Sequence, residues 1–269
     1  MVVVIPSYNN QEWYQKNLLS ALEQKYSKFR ILYINDCSTD GTGEQVAQLA
    51  MSLRPDSFHM ISFDDRFSSD IAEVTKKFRE EVNRESVFFT LVNNISRSGA
   101  LANHYRAAHS CADDEILLTL DGDDWFYDDE VLKRINAVYA SGEIWMTHGK
   151  LIEYPHGATH WCEPVPPELV RSNEVRQFKC PSHLRTYYAW IFKKIVLEDL
   201  LYEGKFFPMT CDMAIMYPIL EMAGERHAFI AEINYVYNMM NPINDGKVDR
   251  DLQNQMDKII RGKKPYQRL

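Results

Sequence analysis

The apolar residues fall into short unbroken runs separated by longer stretches that repeat every three to four positions. The first run, residues 2–5, is all Val and Ile and stops at Pro6, which opens the turn Pro, Ser, Tyr, Asn, Asn over 6–10. A short β-branched run without polar alternation predicts a strand buried on both faces. Between Glu12 and Gln24, Trp13, Leu18, Leu19 and Leu22 keep helical spacing, and residues 31–34 return to the strand pattern. The chain therefore opens strand, helix, strand. A polar turn over 35–42 leads into a second helix around 44–53. Strands at 58–61 or 87–91, a helix over 100–108 and the apolar run 116–120 continue the alternation. Alternating β and α of this kind predicts an α/β fold, a Rossmann-like, mostly parallel sheet flanked by helices. After Trp125 the pattern loosens. We expect a helix near 130–140, a segment at 146–154, a Pro-rich loop over 163–167, and helices near 195–201 and 213–223.

In open parallel sheets ligands bind beyond the carboxyl ends of the strands. Here three such ends carry polar side chains: Ser7, Tyr8 and Asn9; Asp36, Cys37 and Ser38; and Asp121, Gly122, Asp123 and Asp124. Asp121 and Asp123 lie two apart, so in extended geometry both project from one face. Three carboxylates this close resist joint ionisation unless a cation neutralises them, and oxygen-only ligands suit Mg²⁺ or Mn²⁺ holding a diphosphate. A solvated turn with helix-capping aspartates is the plainer alternative. A calcium loop is disfavoured because Trp125 and Phe126 interrupt the alternating ligands. An aspartyl-phosphate phosphatase would carry its acid pair on the first strand, which here ends in Ser7 and Tyr8.

Composition narrows the partners. The 269 residues are 45% hydrophobic and 25% charged, enough for one large domain, and the net charge of −8 argues against nucleic acid. The basic tail, with Lys258, Arg261, Lys263, Lys264 and Arg268, reads as a solvated helix face or as a contact with an anionic membrane or acidic acceptor. Five scattered cysteines without a CxxC pair suggest neither disulfides nor zinc. With no apolar stretch near the roughly 18 residues of a span, we expect a cytoplasmic protein, peripheral to a membrane at most.

Four segments, residues 2–9, 35–42, 98–103 and 118–124, taken in this order and spacing, resemble the family-2 glycosyltransferases of the GT-A fold, bacterial type. The resemblance covers residues 1–125 well and 180–245 more loosely. It implies an inverting transfer of a sugar from a nucleotide-sugar, a UDP-sugar foremost, to a hydroxyl of a glycan or glycolipid. Residues 1–125 would be the nucleotide-sugar half, 126–245 the acceptor and catalytic half, and 246–269 a C-terminal helix and tail. Carried over by position, Asp36 resembles the base-binding acid with Tyr8 beside it, and Pro6, Asn9, Ser38, Gly99, Asn103 and Gly122 fall in the donor-binding segments. Asp121 matches the residue near ribose and metal, Asp123 the metal ligand, and Asp212 the acceptor-activating base. Asp212 also reads as a helix N-cap, and Asp36 as a turn residue. Trp125, His183, Arg185, Asn241 and Asp245 are candidate acceptor or diphosphate contacts, with core packing or an ion pair as the alternative for the first three. Residues 54–86 intervene where compact relatives run more directly. Two rivals stand beside this reading. One is a non-catalytic nucleotide- or glycan-binding module. The other is a nucleotidyltransferase, for which the first loop lacks the expected glycines and basic residue.

Overall fold

A computed structural model describes the chain apart from Ser86, His160, Trp161 and Asn244 and the side chains of Asp245 and Gly246. The strands are β1 (Val2–Ser7), β2 (Arg30–Asn35), β3 (Phe58–Phe63), β4 (Phe89–Asn94), β5 (Ile116–Thr119), β6 (Trp125–Phe126), β7 (Met146–Tyr154), β8 (Arg185–Tyr188), β9 (Leu201–Tyr202), β10 (Lys205–Phe206) and β11 (His227–Asn238). The helices are α1 (Tyr14–Leu22), α2 (Thr42–Leu53), α3 (Ile71–Val82), α4 (Ala100–Ser110), α5 (Val131–Tyr139), α6 (Pro167–Ser172), α7 (Ala189–Phe192), α8 (Cys211–Ala223), α9 (Asp245–Val248) and α10 (Arg250–Gly262).

Among the described residues nine strands form one sheet in the order β3-β4-β2-β1-β5-β8-β7-β11-β6, and β9 and β10 pair separately. The β-branched run of β1 shows why it sits centrally. Val2 and Val4 enter the core on one face with Leu32, Phe78 and the helix α8, while Val3 and Ile5 enter the other with Leu18, Val46 and Ile135. Side chains alternate across a strand, so a strand apolar at every position must be covered on both sides. The α/β fold expected from the alternation is the fold observed.

Both candidate strands between the second and fourth helices exist, and they pair in parallel. Residues 54–86 are thus part of the fold: they add the edge strand β3 and the helix α3, whose Val74, Phe78 and Val82 are buried. The helix expected near 195–201 is a single 3₁₀ turn, Leu197–Leu200, because Val196 before it is extended.

The direction of β8 decides where its first side chains fall. It runs antiparallel between β5 and β7, and Arg185 pairs with Thr119. Its first residue therefore lies at the carboxyl end of β5, where the acidic turn begins. The last residues of β11 reach the same place by pairing antiparallel with β6, Tyr235 opposite Phe126 and Val236 opposite Trp125.

Candidate active site

The turn after β5 is pressed against the end of β1. The Gly122 N–H donates to the Pro6 carbonyl at 3.1 Å. A Cβ at Gly122 would lie 2.5 Å from Ser7 Cβ and 2.7 Å from Asn10 Nδ2. Only glycine lets the two backbones approach this closely. Asn17 on α1 clamps the turn from the other side, its Nδ2 donating to the carbonyls of Asp121 at 2.8 Å and Asp124 at 2.7 Å.

The aspartates of this turn then divide. Asp124 is buried, accepting from the Tyr235 hydroxyl at 2.6 Å and from the Asn238 N–H at 2.7 Å. Burial, then the charges of Asp123 and Asp121, push its carboxyl well above the usual range, so it ties β11 to the turn and does not face the cleft. Asp121 and Asp123 are partly exposed. Asp123 accepts from Asn241 Nδ2 at 2.7 Å, which places the candidate Asn241 directly on it.

Asp121 starts a chain of contacts across the cleft. Its Oδ2 lies 3.4 Å from His183 Nε2, which is 2.7 Å from Arg185 Nη1, and Arg185 Nη2 donates to Asp212 Oδ2 at 2.9 Å. The His183 ring stacks on Tyr235 with centroids 4.4 Å apart. Burial would raise the Asp121 carboxyl, but His183 by hydrogen bond and charge, with His104 and Arg185 behind it, outweighs this and holds it at about 2. The imidazole itself is pushed below its ordinary value by burial and by Arg185, against the pull of Asp121. Asp212 is not the N-cap. That position is Thr210, which makes no capping bond, and Asp212 sits in the first turn of α8 with its carboxylate on Arg185.

Asp36 is buried and already engaged. Its Oδ1 accepts from Asn94 Nδ2 and the Ser98 N–H, and its Oδ2 from the Gly99 N–H at 2.8 Å. An ionised carboxylate has about four acceptor positions, so one remains on Oδ2. Gly99, at φ +88°, ends the loop that Asp36 holds. Asn103 departs from expectation: it is fully buried and its Oδ1 accepts from Asn94, so it supports Asp36 from behind. Asn9 and Ser38 join the first two strand ends, the Asn9 N–H donating to Ser38 Oγ at 2.9 Å. Tyr8 is half-buried beneath the Arg97 guanidinium, 3.8 Å from its ring centroid.

Trp125 is also turned inward. It is 6% exposed, packed against Trp13 and Tyr154 and covered by Lys16 Nζ at 3.7 Å, so its ring offers no open face to a sugar. The side chain of Asp245 lies outside the described residues. Residues that sequence reading passed over complete the site: Tyr235 and Asn238 on β11, Asn17, and His104 on α4. His104 is 3% exposed and lowered to about 4, by burial first. A signal existed for it, since it directly follows Asn103, the last residue of the segment 98–103.

Comparison with known proteins bears on the fold. The mostly parallel nine-stranded sheet flanked by helices matches the fold of GT-A glycosyltransferases of known structure. The 1-349 fragment of S. aureus TarS superposes with a TM-score of 0.58 at 16% identity, over 88% of this chain and 60% of that one. Its complex with UDP-GlcNAc matches at a TM-score of 0.53 and 14% identity, over 89% and 58%. The mannosyltransferase PcManGT from Pyrobaculum calidifontis, in complex with GDP-Man and Mn²⁺, matches at 0.57 and 16%, over 98% and 65%. The chain thus spans about 60% of the TarS fragment's length. No curated protein matches it in sequence. Residues 2–69 match the model of glycosyl transferase family 2. The chain thus resembles the family-2 glycosyltransferases in sequence over that segment and shares the GT-A fold of the solved structures over most of its length. Among the described residues no helix is long and apolar enough to cross a membrane.

Proposed function

We propose that this chain transfers a sugar from a nucleotide-sugar, most readily UDP-linked, to a hydroxyl of a glycan or glycolipid, with inversion, and with Asp212 as general base. The observation that carries the reading is the Asp121–His183–Arg185–Asp212 chain, which sets a donor-side carboxylate and a second carboxylate at opposite ends of one continuous line of contacts. Inversion needs such a carboxylate facing the sugar from the side away from the diphosphate. The acceptor proton passes to Asp212, the acceptor oxygen bonds to the anomeric carbon, and the bond to the phosphate oxygen breaks with its electron pair leaving on the diphosphate. Arg185 orients Asp212 for that proton.

Asp36, with its remaining acceptor position, and Tyr8 would meet the base, with Pro6, Asn9, Ser38 and Gly99 shaping that end of the cleft. TarS complexes with UDP and UDP-GlcNAc support a UDP donor. The turn suits a divalent cation, Mn²⁺ or Mg²⁺: burial first, and the charges of Asp123 and Asp121 after it, raise Asp124, while the oxygen donors Asp121 and Asp123 stay partly exposed. Among the described residues no group of three His, Cys, Asp or Glu gathers as a metal cage, so these two would share the ion with diphosphate and water, as Mg²⁺ sites commonly do. When bound, the ion supplies electrostatic stabilisation of the departing diphosphate. Of the basic tail, Arg261, Lys263 and Arg268 bind Asp257, Asp199 and the Val170 carbonyl within the fold, so the exposed Lys258 and Lys264 are what it offers to any peripheral contact with an anionic membrane.

Calorimetry with UDP, GDP, dTDP and their sugars, with Mn²⁺ or EDTA, tests the reading. We expect metal-dependent binding of UDP that Asp123→Asn abolishes, and retained binding with transfer lowered roughly 10²- to 10⁴-fold in Asp212→Asn. Full transfer by the Asp212 variant moves the base elsewhere, and metal-independent binding removes the cation.

A further inference from the structure

Helix α10 carries two opposed stripes. Leu252, Met256, Ile259 and Ile260 face the core, whereas Arg250, Gln253, Asn254 and Asp257, spaced i, i+3, i+4 and i+7, share the opposite face. That polar face forms one wall of a cavity of about 300 Å³ whose other wall is the start of α8: Thr210, Asp212 and Met213. The candidate base therefore opens into this cavity. Its volume lies at the small end of the range for small-molecule sites.

Several features mark the wall as built for a ligand. Among the described residues the side chains of Arg250, Gln253 and Asn254 make no hydrogen bond or ion pair. Asp257 is held by Arg261, which also donates to the Phe178 carbonyl at 2.7 Å. Arg176 anchors the same helix through the Ile260 carbonyl at 2.6 Å, and Asp249 caps its start by accepting from the Leu252 N–H at 2.9 Å. A free polar stripe on a fixed helix is the arrangement that positions a ligand accurately.

The lining selects the ligand's class. Met213 alone is apolar, so a lipid chain finds no counterpart. The carboxylates of Asp212 and Asp257 are each paired with an arginine, Arg185 and Arg261, so the one uncompensated charge on the lining is the guanidinium of Arg250. Amides, carboxylate and guanidinium supply the mixture of donors and acceptors that neighbouring hydroxyls require. We propose that this cavity is the acceptor subsite for a polyhydroxyl group, a sugar ring, and that Gln253 and Asn254 are its specificity-determining contacts. The proposal rests on the glycosyl-transfer reading and assigns the acceptor side of that same site.

Saturation-transfer NMR tests it on the full chain with UDP and Mn²⁺ present, using the methyl glycosides of glucose, galactose and N-acetylglucosamine as probes. We expect signal from at least one glycoside in the wild type, weakened roughly tenfold or more in Gln253→Ala/Asn254→Ala, with UDP binding retained. Asn254→Trp, at an exposed position, should block the cavity with the same result and without removing any packing. Equal glycoside signal in wild type and both variants overturns the proposal, as does silence from every glycoside in a wild type that binds UDP. A wild type that binds no nucleotide defeats the glycosyl-transfer reading instead, and the glycoside comparison still decides the cavity.

Discussion

Arg185 reaches Asp212 and His183 with the two arms of one guanidinium, at 2.9 and 2.7 Å, while its Nε donates to the Pro181 carbonyl at 2.8 Å. Three acceptors in a fixed fork are beyond a lysine, whose single ammonium sits on a flexible stem. Arg185→Lys should keep the charge and lose the orientation of Asp212. We expect kcat to fall about tenfold to a hundredfold, while nucleotide affinity changes little. Single-turnover transfer beside calorimetry reads both, and an unchanged kcat would show that Asp212 needs no such support.

Gly122→Ala should damage stability and site together. The added Cβ would sit 2.5 Å from Ser7 Cβ, and the neighbours are β1 and the first loop, which cannot retreat without moving the donor side of the cleft. Overpacking of this kind costs about 1–3 kcal/mol. Thermal unfolding should show a lowered midpoint with loss of UDP binding; wild-type behaviour in both would mean that the strand end yields easily.

Removing one hydroxyl should loosen the joint between β11 and the acidic turn. Tyr235 donates to the buried Asp124 carboxylate and accepts from the Asp121 N–H. Tyr235→Phe leaves both short of a partner, at about 1–3 kcal/mol. Denaturant unfolding should detect that loss, and Asp124→Asn in the Phe background should cost less than in the wild type, because the two residues act on one bond.

Acid should destabilise the fold below the ordinary histidine range. His104 and His148 are buried, with ring nitrogens lacking partners among the described residues, and burial foremost lowers them to about 4 and about 3. Between the unfolded value of about 6.5 and these folded values the unfolded chain holds more protons, so stability falls as pH falls. His104 alone accounts for on the order of 3 kcal/mol across that window. Urea unfolding at pH 7 and pH 5 should show the drop, with a shallower one in His148→Phe. Parallel losses in wild type and variant would assign the acid lability to other groups.

What the sequence determined is what lies in contiguous residues. The valine run of β1, the alternation of strands and helices and the acidic turn 121–124 are local patterns, and they sufficed for the α/β class and for the strand ends that carry the cleft. The tertiary structure decided everything that depends on long-range register. Nothing local says that β8 runs antiparallel beside β5, yet this direction brings Arg185 from 64 positions beyond Asp121 onto the same cleft and lets it hold Asp212. Burial likewise sorted residues of equal promise: Asp124, Asn103 and Trp125 turn inward, while Asp121 and Asp123 remain open. The polar stripe of α10 is visible as spacing, but its meaning came from the start of α8 lying across it. A side chain's type and spacing fix what chemistry it can offer, and packing fixes which groups meet.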